Sequence, residues 1–209
     1  MTDRKLALLE SAVRRIAHRG VRGLRVEEVA RDAGVSVALI YHHFGDRSTL
    51  LTHALLHVDA RAGEYTRPVA ASSGREELIA TVVGEIQDDP NVRDNSAAWG
   101  ELKDASIFDE SLRPTLAELT DRWVDQLATA VRRGQKDGSI SRLVDPHGAG
   151  QTLTALVEGL SSRWLARLIS TTEARSLLEA AVVHELEGAA AAAVAQGRAA
   201  KGNRRPRST

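Results

Sequence analysis

The chain has 209 residues, 43% hydrophobic and 27% charged, so it can bury a core and is not a disordered polyampholyte. It has no cysteine, which excludes a disulfide scaffold, a thiolate metal centre and a cysteine nucleophile together. The apolar run Leu6–Leu9 is too short for a secretory core, and no segment reaches the roughly 18 apolar residues of a membrane span. The expected compartment is the cytoplasm, with no membrane partner. The net charge of zero conceals a division: residues 1–67 carry 11 Lys/Arg against 8 Asp/Glu, and residues 68–197 carry 12 against 20. Residues 198–209 carry five cations and no acid. Any polyanion is expected at the head or the tail.

Apolar residues recur at helical spacing almost throughout. Leu6, Leu9, Val13 and Ile16 mark one face of a first helix that stops at Gly20. A second runs from about Val26 to Ala33, a third follows Ser36 and a fourth follows Asp46, since Ser and Asp are good N-caps. Residues 66–74 read as a loop. Helices are expected near 75–87 and 93–105, broken around Asp88-Asp89-Pro90-Asn91, and then over about 110–136, 146–169 and 173–196. Residues 198–209 are expected to be a disordered basic tail. The fold class is all-α, about nine helices, with a small head at 1–48 and a larger helical body at 49–197.

Residues 24–51 carry the chemistry. Val26, Val29 and Ala30 give one short helix an inward face, Ala33-Gly34-Val35 makes a tight turn, and Ser36 caps the next helix. That next helix combines Ala38, Leu39 and Ile40 with the polar tips of Tyr41, His42 and His43. The pattern is a helix-turn-helix, whose second helix presents its N-terminal residues to base edges in the major groove.

The run Val29-Ala30, Ala33-Gly34-Val35-Ser36, Ile40-Tyr41-His42-His43-Phe44, Asp46-Arg47 and Leu50-Leu51 resembles the signature of tetracycline-repressor-type (TetR family) transcriptional regulators. The strong resemblance covers residues 5–52. A weaker one, from Gly138-Ser139-Ile140 through Asp145 to Leu156-Val157-Glu158-Gly159-Leu160, is similar to the ligand-binding domain of one branch of that family. The resemblance implies a homodimer that binds a palindromic double-stranded DNA operator and releases it when a small molecule enters the body. It implies that Ser36, Val37, Leu39, Tyr41 and His42 face DNA and that Arg47 touches phosphate. Two positions depart from the family pattern. Arg25 stands where a Thr or Ser cap is frequent, and Val37 stands where a polar or basic residue is common, which suggests apolar contact with a thymine methyl.

The body holds Trp99, Trp123 and Trp164 together with Phe108, compatible with an aromatic-lined cavity or with plain core. Glu101, His147 and Gln151 are candidate polar fixers for a ligand. His53 and His57 are spaced for one helix face, but no third ligand stands at a neighbouring turn, so no metal and no cofactor are expected. Ala149, Leu153, Leu156 and Leu160, with Ala181, Val182 and Ala189, offer small and apolar surface for a four-helix interface between two chains. Two other classes stay open. One is an all-α enzyme, although no phosphate loop, His-Glu-x-x-His or Gly-x-Ser-x-Gly occurs. The other is a constitutive DNA-packaging protein, against which the large body argues.

Overall fold

The computed structural model describes the backbone of residues 3–68 and 70–202, with side chains described as far as Gly188. Among these residues the chain forms nine α-helices, one short 3-10 turn and no strand. The helices are α1 (Asp3–Arg19), α2 (Val26–Asp32), α3 (Val37–Phe44), α4 (Arg47–Tyr65), α5 (Gly74–Val83), α6 (Pro90–Ala105), α7 (Arg113–Asp137), α8 (Pro146–Leu165) and α9 (Thr171–Gly202). The 3-10 turn, Glu110–Leu112, precedes α7.

The starts of the helices are set locally. Ser36, Asp46, Ser73, Asp89 and Asp145 each accept a backbone N–H of the following first turn, satisfying donors that have no partner within the helix. Asp89 with Pro90 begins α6 three residues earlier than the apolar pattern suggested, since proline is pre-organised for a first helical position. α5 stops at Val83 rather than 87, where Ile86 N–H turns back to the Val83 carbonyl at 3.2 Å. α8 stops at Leu165 rather than 169. There Leu168 N–H closes on the Arg163 carbonyl at 2.9 Å around Arg167, whose φ is +58°. α9 continues through Arg198 to Gly202, so the first part of the expected disordered tail is helical; residues 203–209 lie outside the described residues.

Two apolar clusters hold the molecule together. The first joins α1–α4 to Ala98 and Leu102 of α6 and to Leu112 and Leu119. The second joins α5, α7, α8 and α9 around Leu78, Val131, Leu153, Trp164 and Leu178. Head and body therefore share a core through α6. Ala149, Leu153 and Val182, expected at a surface between chains, are instead buried within their own chain. The outward faces of α8 and α9 carry Leu156, Gly159 and Leu177, and the side chain of Ala189 lies outside the described residues.

Candidate nucleic-acid interface and ligand cavity

The head is built around the turn between α2 and α3. Gly34 sits at φ +66°, and Val35 N–H reaches back to the Ala30 carbonyl at 2.9 Å, closing the end of α2. Ile40 and Phe44 anchor α3 in the core. The opposite face of α3 is left to solvent: Ser36, Ala38, Tyr41 and His42 are exposed, and Val37, Leu39 and His43 are half-buried. Ser36 Oγ accepts from Leu39 N–H at 3.3 Å, so this hydroxyl is committed to the helix start. Val37 packs against the head core. Arg25, at the N-cap of α2, gives no side-chain cap. Arg47 is exposed at the start of α4, and its Nη2 donates to the Val21 carbonyl at 2.5 Å. The guanidinium expected on a phosphate is thus tied to the α1–α2 turn.

α6 divides two environments. Asn95, Ser96, Trp99 and Lys103 line a cavity of about 100 Å³. Ala98 and Leu102 join the head core, while His18 Nε2 lies 3.3 Å from Asp94 and Val21 N–H donates to Glu101 at 3.2 Å. Residues four apart share a helix face, whereas two positions turn the side chain to the other side. The cavity is completed by Asp59 and Tyr65 of α4, Glu85 after α5, Trp123 of α7, and Thr154 and Glu158 of α8.

Polar groups in this cavity are strongly perturbed. Burial pushes the Glu85 carboxyl up to about 7, opposed by the hydroxyl of Tyr65 at 3.5 Å and reinforced by the charge of Asp59. Burial, followed by the Glu85 charge, raises the Tyr65 phenol well above its ordinary range. Asp59 is also raised by burial, against the opposing charge of Arg122, whose Nη2 donates to it at 2.6 Å. Asn95 Nδ2 donates to the Val58 carbonyl at 3.0 Å and to the Tyr65 hydroxyl at 3.2 Å. Its Oδ1 and the hydroxyl of Ser96 are buried without partners.

Comparison with known proteins agrees with this arrangement. Residues 8–54 match the family described as "Bacterial regulatory proteins, tetR family", and residues 74–200 match "BetI-type transcriptional repressor, C-terminal". The protein belongs to the TetR family of transcriptional regulators. It is 30% identical over 162 residues to the HTH-type transcriptional regulator BetI of Agrobacterium fabrum, covering 77% of this chain and 76% of that one. A TetR-family regulator from Rhodococcus sp. superposes with a TM-score of 0.83 at 45% identity, over 89% of this chain and all of that one. A regulator from Saccharomonospora viridis, solved in complex with choline, superposes with a TM-score of 0.73 at 28% identity, over 87% and 95% of the two chains.

Within this TetR-family chain the residues expected at a ligand site scatter. Trp99 and Trp123 line the cavity. Trp164 does not: it is 1% exposed in the second core cluster, with Nε1 donating to Thr171 Oγ1 at 2.9 Å and the Arg93 guanidinium 4.2 Å above its ring. Glu101 is turned to the head. Phe108 is 78% exposed beside Arg22, His147 is exposed 4.0 Å from Asp125, and Gln151 is exposed on α8. Sequence reasoning missed Asp59, Tyr65, Glu85, Asn95, Lys103 and Glu158. The i, i+4 spacing from Trp99 gave a signal for Asn95 and Lys103, but nothing local marked Glu85. His53 stacks edge-on against Phe44 at 5.4 Å, and burial, then Lys5, lowers its pKa. His57, with Nε2 buried and unpartnered, is also lowered chiefly by burial. No helix among the described residues is long and apolar enough to cross a membrane.

Proposed function

We propose that this protein is a cytoplasmic repressor that binds a palindromic operator as a homodimer and leaves it when a small organic cation fills the cavity, without altering that ligand. The observation that carries the ligand class is the lining itself. Trp99, Trp123 and Tyr65 offer π faces, and Asp59, Glu85 and Glu158 place three carboxyl groups around one small space, beside the ammonium of Lys103. Aromatic walls with acidic groups recognise ammonium cations through the ring quadrupole and direct charge. The choline complex of the Saccharomonospora viridis relative supports the same class. Division near residue 48 separates the reading head from the responding body, with α4 and α6 crossing between them.

The DNA contacts proposed are the exposed Tyr41 and His42, with Ser36, Val37 and Leu39 at the start of the reading helix, and Arg22, Arg25 or Arg47 supplying phosphate contacts. For the dimer, α8 and α9 offer the exposed Leu156, Gly159 and Leu177, and a Cβ added at Gly159 would meet nothing within 4 Å of its own chain. The message travels through α6. A ligand that displaces Trp99 and Lys103 moves Asp94 and Glu101 on the other face, and with them the α1–α2 turn. That shift changes the spacing of two recognition helices that must meet major-groove faces about 34–36 Å apart.

The test is footprinting on the intergenic DNA beside the gene, with choline as first probe, joined to a tryptophan-quenching titration. Protection that choline removes is the expected result. Because coupling is reciprocal, saturating operator should weaken choline binding about 5- to 150-fold. Identical choline affinity with and without operator overturns the release mechanism.

A further inference from the structure

The three acids around the cavity are not equivalent. Asp59 is held by Arg122 at 2.6 Å, and Glu158 lies 4.0 Å from Lys103 Nζ. Glu85 has no cationic partner among the described residues; its one side-chain hydrogen bond is with the Tyr65 hydroxyl, 3.5 Å away. No cation of the surroundings acts on Glu85 itself. From α4 come Asp59 and Tyr65, with Arg61 acting on the latter; from α6 come Asn95 and Lys103; from α7 comes Arg122, already engaged; and from α8 comes Glu158. Arg175 of α9 donates to the carbonyls of Ile86 and Val83 beside it, at 2.8 and 3.4 Å. Below about pH 7 a carboxyl in such a place stays neutral until a positive charge arrives.

We propose that Glu85 is the counter-ion of the cationic effector and that it gives up a proton as the cation enters. The assignment rests on the cation reading of the cavity and adds a proton to it. The balance is simple: the neutral carboxylic acid and the free cation become a carboxylate–cation pair, and one proton leaves to solvent. The Tyr65 hydroxyl is already placed to donate to the new carboxylate, while Asn95 Nδ2 donates to that hydroxyl in turn. The unfilled Asn95 Oδ1, on a side chain 1% exposed, asks for a donor on the ligand. The ligand class is therefore a small ammonium ion carrying a hydroxyl or N–H, and its uptake depends on pH although its own charge does not.

The experiment is calorimetric titration of the full-length protein with choline between about pH 5.5 and 8.5, in two buffers of different ionisation enthalpy. Its uncharged isostere 3,3-dimethylbutan-1-ol and the variant Glu85→Gln are the controls. Choline affinity should fall roughly tenfold per pH unit below about 7 and level off above it. Near pH 6 close to one proton should be released per ion bound. Glu85→Gln should bind choline more weakly with no pH slope, and should bind the alcohol at least as well as the parent does. Choline binding that is pH-flat in the parent, or a slope that survives in Glu85→Gln, overturns the assignment and leaves the cation reading standing. Should the variant misfold, the parent's pH slope and proton count decide alone. If choline binds at no pH while operator binding persists, the cation reading itself falls, and this assignment with it.

Discussion

The head and the body solve their problems on different length scales. In the head, α2 and α3 are seven and eight residues long, far below what persists alone in water. They are held by a Ser cap, a left-handed glycine and an apolar stripe, all within residues 24–51. The face proposed to read DNA is what remains after the anchoring face is spent, so it points outward. In the body the proposed ligand surface points inward and draws on four helices and the turn after α5, from Val58 on α4 to Leu165 on α8. A reading surface can be written locally; an enclosed cavity cannot. The contrast is incomplete at α6, which puts Leu102 in the head core and Lys103 in the cavity.

The largest expected effect tests whether head and body are separable at all. Leu102→Ala removes a fully buried side chain from a core that spans both, which should cost about 2–5 kcal/mol. Operator binding and tryptophan emission should then be lost together in a urea series. Loss of operator binding at clearly lower urea would make the head an independent unit.

The next effect sharpens the difference in polarity. Glu85 has a raised pKa in the folded state, so the native protein holds a proton that the unfolded chain releases between the ordinary carboxylate range and about 7. Stability should therefore fall as pH rises through that window, by up to about 3 kcal/mol from this group. Glu85→Gln should remove that loss, making the variant the more stable form at neutral pH and above. Thermal melts at several pH values read it directly.

The third pair of variants should act on opposite functions. Tyr41→Ala or His42→Ala should cost on the order of 1–3 kcal/mol of operator preference over random DNA and leave choline quenching intact. Trp123→Ala should do the reverse, weakening choline while the operator is still bound. A cross-effect at either site would show that the regions are more tightly coupled than one shared helix allows.

The smallest effect concerns the contact across that helix. Glu101→Ala leaves the Val21 N–H without its acceptor, at about 0.5–1.5 kcal/mol. It should reduce the operator's effect on choline affinity while leaving choline affinity of the free protein unchanged. An unchanged coupling factor would place the transmission elsewhere, with α4 the next element to test.

The sequence by itself determined the helical class, the helix-turn-helix and most helix starts. The reason is range: a cap joins residues two or three apart, as Asp46 does with Thr49 N–H at 2.7 Å, and the turn at Gly34 closes over five residues. Tertiary structure alone decided which body side chains meet. Trp164 and Trp123 look alike as sequence, yet one is sealed in a core by Thr171 and Arg93 and the other faces the cavity. Glu101 and Lys103 stand two apart, yet one grips the head and the other faces the ligand space. Glu85 carries no local sign of its role. What makes it singular is a half-buried place in the cavity beside an acid whose cation is already engaged, and such a place is a property of packing between segments far apart in the chain.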